Sequence, residues 1–103
     1  MNKVGKTLKE IRSKRGLLLR EVAAAISIDP SLLSKIENNQ RMPTKEQANA
    51  LAKYYKADSN AILIAYSSDK LVDEVKGNPL ALQAMHAAEK KIKHLKMSAT
   101  DIS

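Results

Sequence analysis

Apolar residues recur three and four positions apart along most of this chain, which is the spacing of one face of an α-helix. Helix start and stop signals divide the pattern into six segments, because Pro and capping Asp, Asn or Thr begin helices and Gly ends them. These signals are Gly16, Asp29-Pro30, Pro43-Thr44, Asp58 and Gly77-Asn78-Pro79. The pattern therefore predicts an all-α fold without strands, whose last helix runs to about Met97 and is followed by a frayed tail over 98–103.

The composition limits what these 103 residues can be. Hydrophobic residues make up 44% of the chain but aromatic residues only 3%, so the core is expected to be aliphatic. The absence of cysteine excludes a disulfide scaffold, a thiolate metal site and a cysteine nucleophile. No apolar run approaches the ~20 residues of a membrane-spanning helix, and no signal peptide is recognisable. We therefore expect a soluble, cytoplasmic protein with one small domain, or one domain with an appendage.

The positive charge of the chain is concentrated in its first half. The formal net charge is +7, and residues 1–56 hold 12 Lys and Arg against 5 Asp and Glu, whereas residues 57–103 hold 6 of each. A basic surface of this kind attracts polyanions, of which nucleic acid comes first and an anionic membrane or an acidic protein second. A solvated helix surface without a partner is the alternative.

The short turn between the second and third helices is the most informative feature of the pattern. Only residues 27–29 separate the two helices, which is typical of a helix-turn-helix unit. On the third helix, Leu32, Leu33 and Ile36 share one side. The opposite side carries short polar residues and no acid, namely Ser31, Ser34, Lys35 and Asn38. Such a face suits insertion into the major groove of DNA.

The same region resembles the Cro/C1-type helix-turn-helix regulators, also called the XRE family. The stretch 17–43, LLLREVAAAISIDPSLLSKIENNQRMP, parallels the family pattern L-S-Q-E-x-L-A-x-x-x-G-V-S-x-x-x-L-S-x-I-E-x-G-x-x-x-P. The resemblance implies a five-helix, lambda-repressor-like DNA-binding domain over residues 1–67, with its helix-turn-helix motif at about 19–38. Residues 68–97 would then form an additional helical extension for dimerisation.

The resemblance also implies roles for individual residues. The positions that approach base edges are Pro30, Ser31 and Lys35. The positions that contact the DNA backbone are Arg20, Ser34, Asn38, Gln40 and Arg41. Arg12 and Glu37 match a buried ion pair that ties the first helix to the third, which would keep the Glu37 carboxylate away from phosphates.

The chain departs from the family pattern at four positions. Leu18 and Leu19 occupy the places where the family has Ser or Thr and then a phosphate-binding Gln. That phosphate contact is therefore absent, or it comes from Arg20 or from the basic first helix. Ser27 and Asn39 replace two turn glycines, and Ser27 is expected to be mildly strained if its φ is positive.

The C-terminal helices favour a homodimer. The fifth helix has apolar residues on two opposite faces, and the sixth carries apolar residues at alternating spacings of four and three, like a heptad seam. The predicted interface consists of Ile64, Leu71, Val72, Val75, Met85 and Ile92. In the alternative arrangement, the sixth helix folds back and covers the second face within one chain.

These observations predict a sequence-specific transcriptional regulator that binds double-stranded DNA as a homodimer on a palindromic operator. The resemblance favours a concentration-switched controller of restriction–modification genes as the subtype, because small members of the family include such controllers and no ligand-sensing domain is evident here. The alternatives are an antitoxin-type repressor and a protein-interaction module that lacks specific DNA binding. No enzymatic activity, metal, cofactor or small-molecule ligand is expected, and His86 and His94 are interpreted as surface residues. The lysine-rich sixth helix also allows a membrane-surface role, but we expect no membrane partner.

Overall fold

The computed structural model describes the backbone of residues 3–102 and the side chains of residues 3–97. Its helices are α1 (Val4–Lys14), α2 (Leu19–Ala25), α3 (Pro30–Glu37), α4 (Lys45–Tyr55), α5 (Ser59–Val75) and α6 (Ala81–Ile102), with a 3-10 turn at Lys56–Asp58. No strand occurs in the described range, and the predicted all-α fold, a small helix-turn-helix domain with an additional C-terminal helix, is confirmed. Helix α6 continues beyond its expected end at Met97. The side chains of residues 98–103 lie outside the described part of the chain, so the frayed tail stays a prediction.

The chain divides into two compact units, Met1–Leu71 and Val72–Ser103. The first unit holds α1 to α4 and most of α5 around one core. The core is aliphatic apart from one tyrosine ring, and its members are Val4, Leu8, Ile11, Val22, Ala23, Leu33, Ile36, Leu51, Ala52, Tyr55 and Ile62. The second unit holds the end of α5 and the whole of α6, and none of its described side chains is fully buried. The predicted division into residues 1–67, 68–97 and 98–103 stays a prediction.

The first three helices all end in the same way, which keeps the connections between them short. Gly16, Ser27 and Asn39 each have a positive φ, between 58° and 64°. In each case the backbone N–H of the next residue donates to a carbonyl oxygen in the last helical turn. Ile28 N donates to Ala23 O at 3.0 Å, and Gln40 N donates to Lys35 O at 2.9 Å. Glycine adopts this left-handed conformation freely, whereas Ser27 adopts it at a steric cost. This cost is the strain that a positive φ at Ser27 was expected to bring.

Helix α1 approaches the end of α3 closely at Gly5. A Cβ atom at this position would collide with the carbonyl oxygen of Ile36 and with the side-chain amide of Asn39. The N-terminus of α1 has no cap from its own preceding residue, and instead the backbone N–H of Val4 donates to Asp69 Oδ2 of α5 at 2.9 Å. Helix α1 is therefore fixed to α3 by close packing and to α5 by a long-range cap.

Candidate nucleic-acid interface

Helix α3 presents one polar, solvent-exposed face. Leu33 and Ile36 are buried and Leu32 is half-buried, so these residues anchor the helix on the core. The three residues expected to approach base edges, Pro30, Ser31 and Lys35, are all exposed. Helix α3 is thus attached by its apolar side, and the side expected to meet DNA is free of contacts with the core.

The residues expected to contact the DNA backbone lie around this face. Arg20 is in the first turn of α2, Ser34 is half-buried in α3, and Asn38 is the C-cap of α3, with Gln40 and Arg41 in the loop that follows. The structure brings Asn38 and Ser34 together, because Asn38 Nδ2 donates to Ser34 Oγ at 3.4 Å. The other three side chains are exposed and form no hydrogen bond or ion pair with any residue that the structure describes.

A lysine that the sequence analysis did not single out joins this cluster. Lys9 Nζ on α1 donates to Asn38 Oδ1 at 3.4 Å, and its side chain is exposed. The contact links residues 29 positions apart. The excess of positive charge in the first helix was the available signal, but it could not single out one lysine among several.

The start of α3 is fixed by Asp29. The Oδ1 atom of Asp29 accepts from the backbone N–H of Ser31 and from the Ser31 hydroxyl, both at 2.9 Å. These two donors, the backbone N–H first, hold the pKa of Asp29 below its ordinary value, so this carboxyl group is ionised at neutral pH. Asp29 was predicted as a cap from the sequence, but its hydrogen bond with the Ser31 hydroxyl was not predicted.

The other end of α3 is held by an ion pair with α1. Arg12 Nε lies 2.9 Å from Glu37 Oε2 and 3.1 Å from Oε1, and Arg12 Nη2 lies 3.0 Å from Oε1. Arg12 Nη1 also donates to the carbonyl of Leu17 at 3.0 Å. The Glu37 side chain is only 3% exposed, and its hydrogen bonds with Arg12 raise the pKa of the guanidinium. The carboxylate therefore faces α1 and not solvent.

The two leucines at the start of α2 differ in their environment. Leu19 is half-buried and packs against the core, whereas Leu18 is 48% exposed. Glu21 accepts from the backbone N–H of Leu18 at 3.2 Å, which satisfies one free donor at this helix terminus. Leu19 is therefore a packing residue, and Leu18 leaves an apolar side chain on the surface.

Exposed apolar residues also occur on α5 and, separately, on α6. In the first unit, Ile64 and Leu71 contribute to a shallow groove of about 450 Å³ along α5, whose lining is completed by Asn60, Leu63, Ser67 and Ser68. In the second unit, Val72 and Ile92 are exposed and Val75 and Met85 are half-buried. None of the described residues that line the α5 groove is charged.

Other kinds of site find little support among the described residues. No group of three His, Cys, Asp or Glu side chains there could hold a metal ion, and both histidines are exposed. None of the described helices combines the length and the apolar character needed to cross a membrane.

The fold and the polar face of α3 define a helix-turn-helix protein. A family model for the helix-turn-helix domain matches residues 5–68, and the chain belongs to this family. Over 76 residues the chain is 33% identical to the HTH-type transcriptional regulator PrpR of Mycobacterium tuberculosis (strain ATCC 25618 / H37Rv). The aligned region covers 67% of this chain but only 16% of that relative, so the chain spans about one sixth of its length. No solved structure gives a significant match.

Proposed function

We propose that the chain is a transcriptional regulator that binds double-stranded DNA in a sequence-specific manner. The observation that carries this proposal is the exposed polar face of α3, which is held at one end by the Asp29 cap and at the other by the ion pair of Glu37. A helix of eight residues fits the major groove, and short polar side chains allow its backbone to approach the base edges. The relative named as a transcriptional regulator supports the same function.

Two groups of residues have different roles in this proposal. Lys35 donates to guanine O6 and N7, Ser31 makes a hydrogen bond to a base, and Pro30 supplies an apolar contact. The phosphate contacts come from Arg20, Ser34, Asn38, Gln40 and Arg41, which set the register of the protein on DNA without distinguishing sequences. Lys9 adds a cation to the phosphate-binding group, because it lies against Asn38.

We further propose that the regulator is a homodimer. Two recognition helices about 34–36 Å apart would contact two half-sites of a palindromic operator. The uncharged groove of α5, which includes Ile64 and Leu71, is suited to a second copy, because an apolar pairing incurs no cost of burying charge. In the second unit, Val72, Val75, Met85 and Ile92 are the residues proposed to contact the second copy. Restriction–modification genes are the regulated genes that the sequence resemblance favours.

The test is the selection of bound duplexes from a random library at moderate salt. A palindromic consensus with half-sites one helical turn apart would support both the regulator and the homodimer. A single unrepeated site would contradict the symmetric dimer, and no enrichment would contradict specific DNA binding. With the selected duplex, Lys35→Ala should lose about 1–3 kcal/mol of discrimination between bases, whereas Arg41→Ala should weaken all sequences alike.

One observation favours a second candidate function. Leu18 exposes an apolar side chain at a position where the family pattern has Ser or Thr. A protein-interaction module with this fold would use such a residue against a partner protein. Binding of random duplex distinguishes the two functions, because an interaction module would show no affinity that falls with rising salt.

A further inference from the structure

We infer that Ser31 recognises an exocyclic amino group, the N6 of adenine or the N4 of cytosine, because Asp29 fixes its hydroxyl as a hydrogen-bond acceptor. This inference rests on the proposed function and specifies the chemistry of one operator position. It makes Asp29 a positioning residue that acts on DNA through Ser31.

The direction of the hydrogen bond follows from the chemistry of the pair. An ionised carboxylate has no hydrogen to give, so in the 2.9 Å contact between Ser31 Oγ and Asp29 Oδ1 the hydroxyl must donate. A serine hydroxyl has one hydrogen, and once that hydrogen is engaged only the lone pairs of the oxygen remain for another partner. A free serine can donate or accept, but this one can only accept.

The geometry keeps the hydroxyl engaged. The same Oδ1 atom accepts the backbone N–H of Ser31 at 2.9 Å, so the carboxylate is held where the hydroxyl needs it. Pro30, between the two residues, restricts the backbone at this point. Ser31 is exposed on the face of α3 proposed to enter the groove, so its oxygen is accessible to a base.

The consequence for DNA is a preference between bases. In the major groove, adenine and cytosine present an amino donor, whereas guanine and thymine present carbonyl acceptors. An acceptor-only side chain stabilises the amino group and is repelled by a carbonyl oxygen. Lys35, which can only donate, has the opposite preference. The face of α3 therefore offers an acceptor near its start and a donor one turn later.

The experiment is the selection of duplexes from a random library, carried out in parallel with the wild-type protein and four variants. The position that faces Ser31 is the one where Ser31→Ala removes a preference. At that position the wild type should favour adenine or cytosine over guanine or thymine by about two- to tenfold, the range expected for one hydrogen bond.

The variants separate positioning from capping. Asp29→Gly retains most of the capping effect but frees the hydroxyl, so the preference for adenine or cytosine should disappear while the rest of the consensus stays. Asp29→Asn should keep the preference, because its amide oxygen can accept both hydrogen bonds. Thr44→Gly makes the same change at the cap of α4, where the Thr44 hydroxyl accepts from Gln47 N, and should leave every base preference unchanged.

Each outcome has one meaning. If Asp29→Gly leaves the preference at the Ser31 position intact, the inference is wrong while the proposed function stands. If Ser31→Ala changes no position in an otherwise clear consensus, Ser31 does not contact a base and the inference is also wrong. A wild-type selection without any enrichment would instead overturn the proposed function itself.

Discussion

The ion pair between Arg12 and Glu37 allows a quantitative test of how the recognition helix is held. Arg12 makes three hydrogen bonds to the carboxylate, and the Glu37 side chain has almost no access to water. Compared with apolar residues, a buried ion pair leaves the free energy of unfolding unchanged or lowers it slightly. A buried charge without a partner lowers it strongly. Single and double substitutions at the two positions should therefore differ in a characteristic order.

The magnitudes follow from the exposure of the two partners. Arg12→Met leaves a carboxylate that is 3% exposed without its partner, and we expect a loss of about 3–5 kcal/mol in the free energy of unfolding. Glu37→Leu leaves a guanidinium that is 18% exposed and still bonded to the carbonyl of Leu17, so its loss should be smaller. The double variant contains no unpaired buried charge. It loses mainly the bond to Leu17, about 0.5–1.5 kcal/mol, and should be the most stable of the three.

Urea unfolding monitored by circular dichroism measures these differences. A domain of this size has a total free energy of unfolding of about 5–15 kcal/mol. Arg12→Met should therefore remain folded with little stability to spare, and its unfolding is best measured at low temperature. The matched control is Lys76→Met, which breaks an exposed ion pair with Asp73 and should change stability by less than ~1 kcal/mol. The reasoning is refuted if Arg12→Met costs no more than this control, or if the double variant loses the sum of the two single losses.

Four further predictions address other parts of the chain. Tyr55→Phe removes a buried hydroxyl that has no hydrogen-bond partner among the described residues, so at neutral pH it should be as stable as the wild type or up to ~1 kcal/mol more stable. Burial raises the pKa of Tyr55 to about 12, so the stability of the wild type should fall as pH rises from about 10 to 12. Urea unfolding across this pH range should show a smaller loss of stability for Tyr55→Phe. Ser27→Gly removes the steric strain of a positive φ and should raise the free energy of unfolding by about 1 kcal/mol, which corresponds to about 4–8 °C in melting temperature. An unchanged melting temperature would argue against strain at Ser27. Lys9→Met should reduce the slope of log K against log salt for random duplex by about 0.9, whereas Lys9→Arg should keep it. Ile64→Asp should lower the mass found by sedimentation from that of a dimer to that of a monomer, and an unchanged mass would exclude this face as the interface.

Local signals were sufficient to predict where α3 and α4 begin. Asp29, Pro30 and Thr44 act on backbone groups within three residues, so their effect is visible in the sequence itself. The helical spacing of Ala48, Leu51, Ala52 and Tyr55 likewise marks the buried side of α4. The family pattern extended this information to the face of α3 that is proposed to contact DNA.

Interactions between distant helices were not predictable in the same way. The contact of Lys9 with Asn38 and the capping of Val4 by Asp69 depend on how α1 packs against α3 and α5. The close approach of α1 to α3 at Gly5 is part of that packing, and neither helical periodicity nor charge counting encodes it. The hydrogen bond from the Ser31 hydroxyl to Asp29 is local, but the same residues allow several rotamers, so only the structure shows which partner the hydroxyl has.

The distribution of acids around α3 shows how a surface with negative residues can still attract DNA. Glu37 and Asp29 lie at opposite ends of this helix, and an exposed carboxylate at either place would repel phosphates. Glu37 is neutralised by Arg12 and turned away from solvent, while the charge of Asp29 is partly offset by its two donors and by the positive end of the helix dipole. The side chains of Lys35 and Arg41 are exposed and form no ion pair in the described part of the chain. The face proposed to meet DNA is therefore positive because its acids are engaged internally.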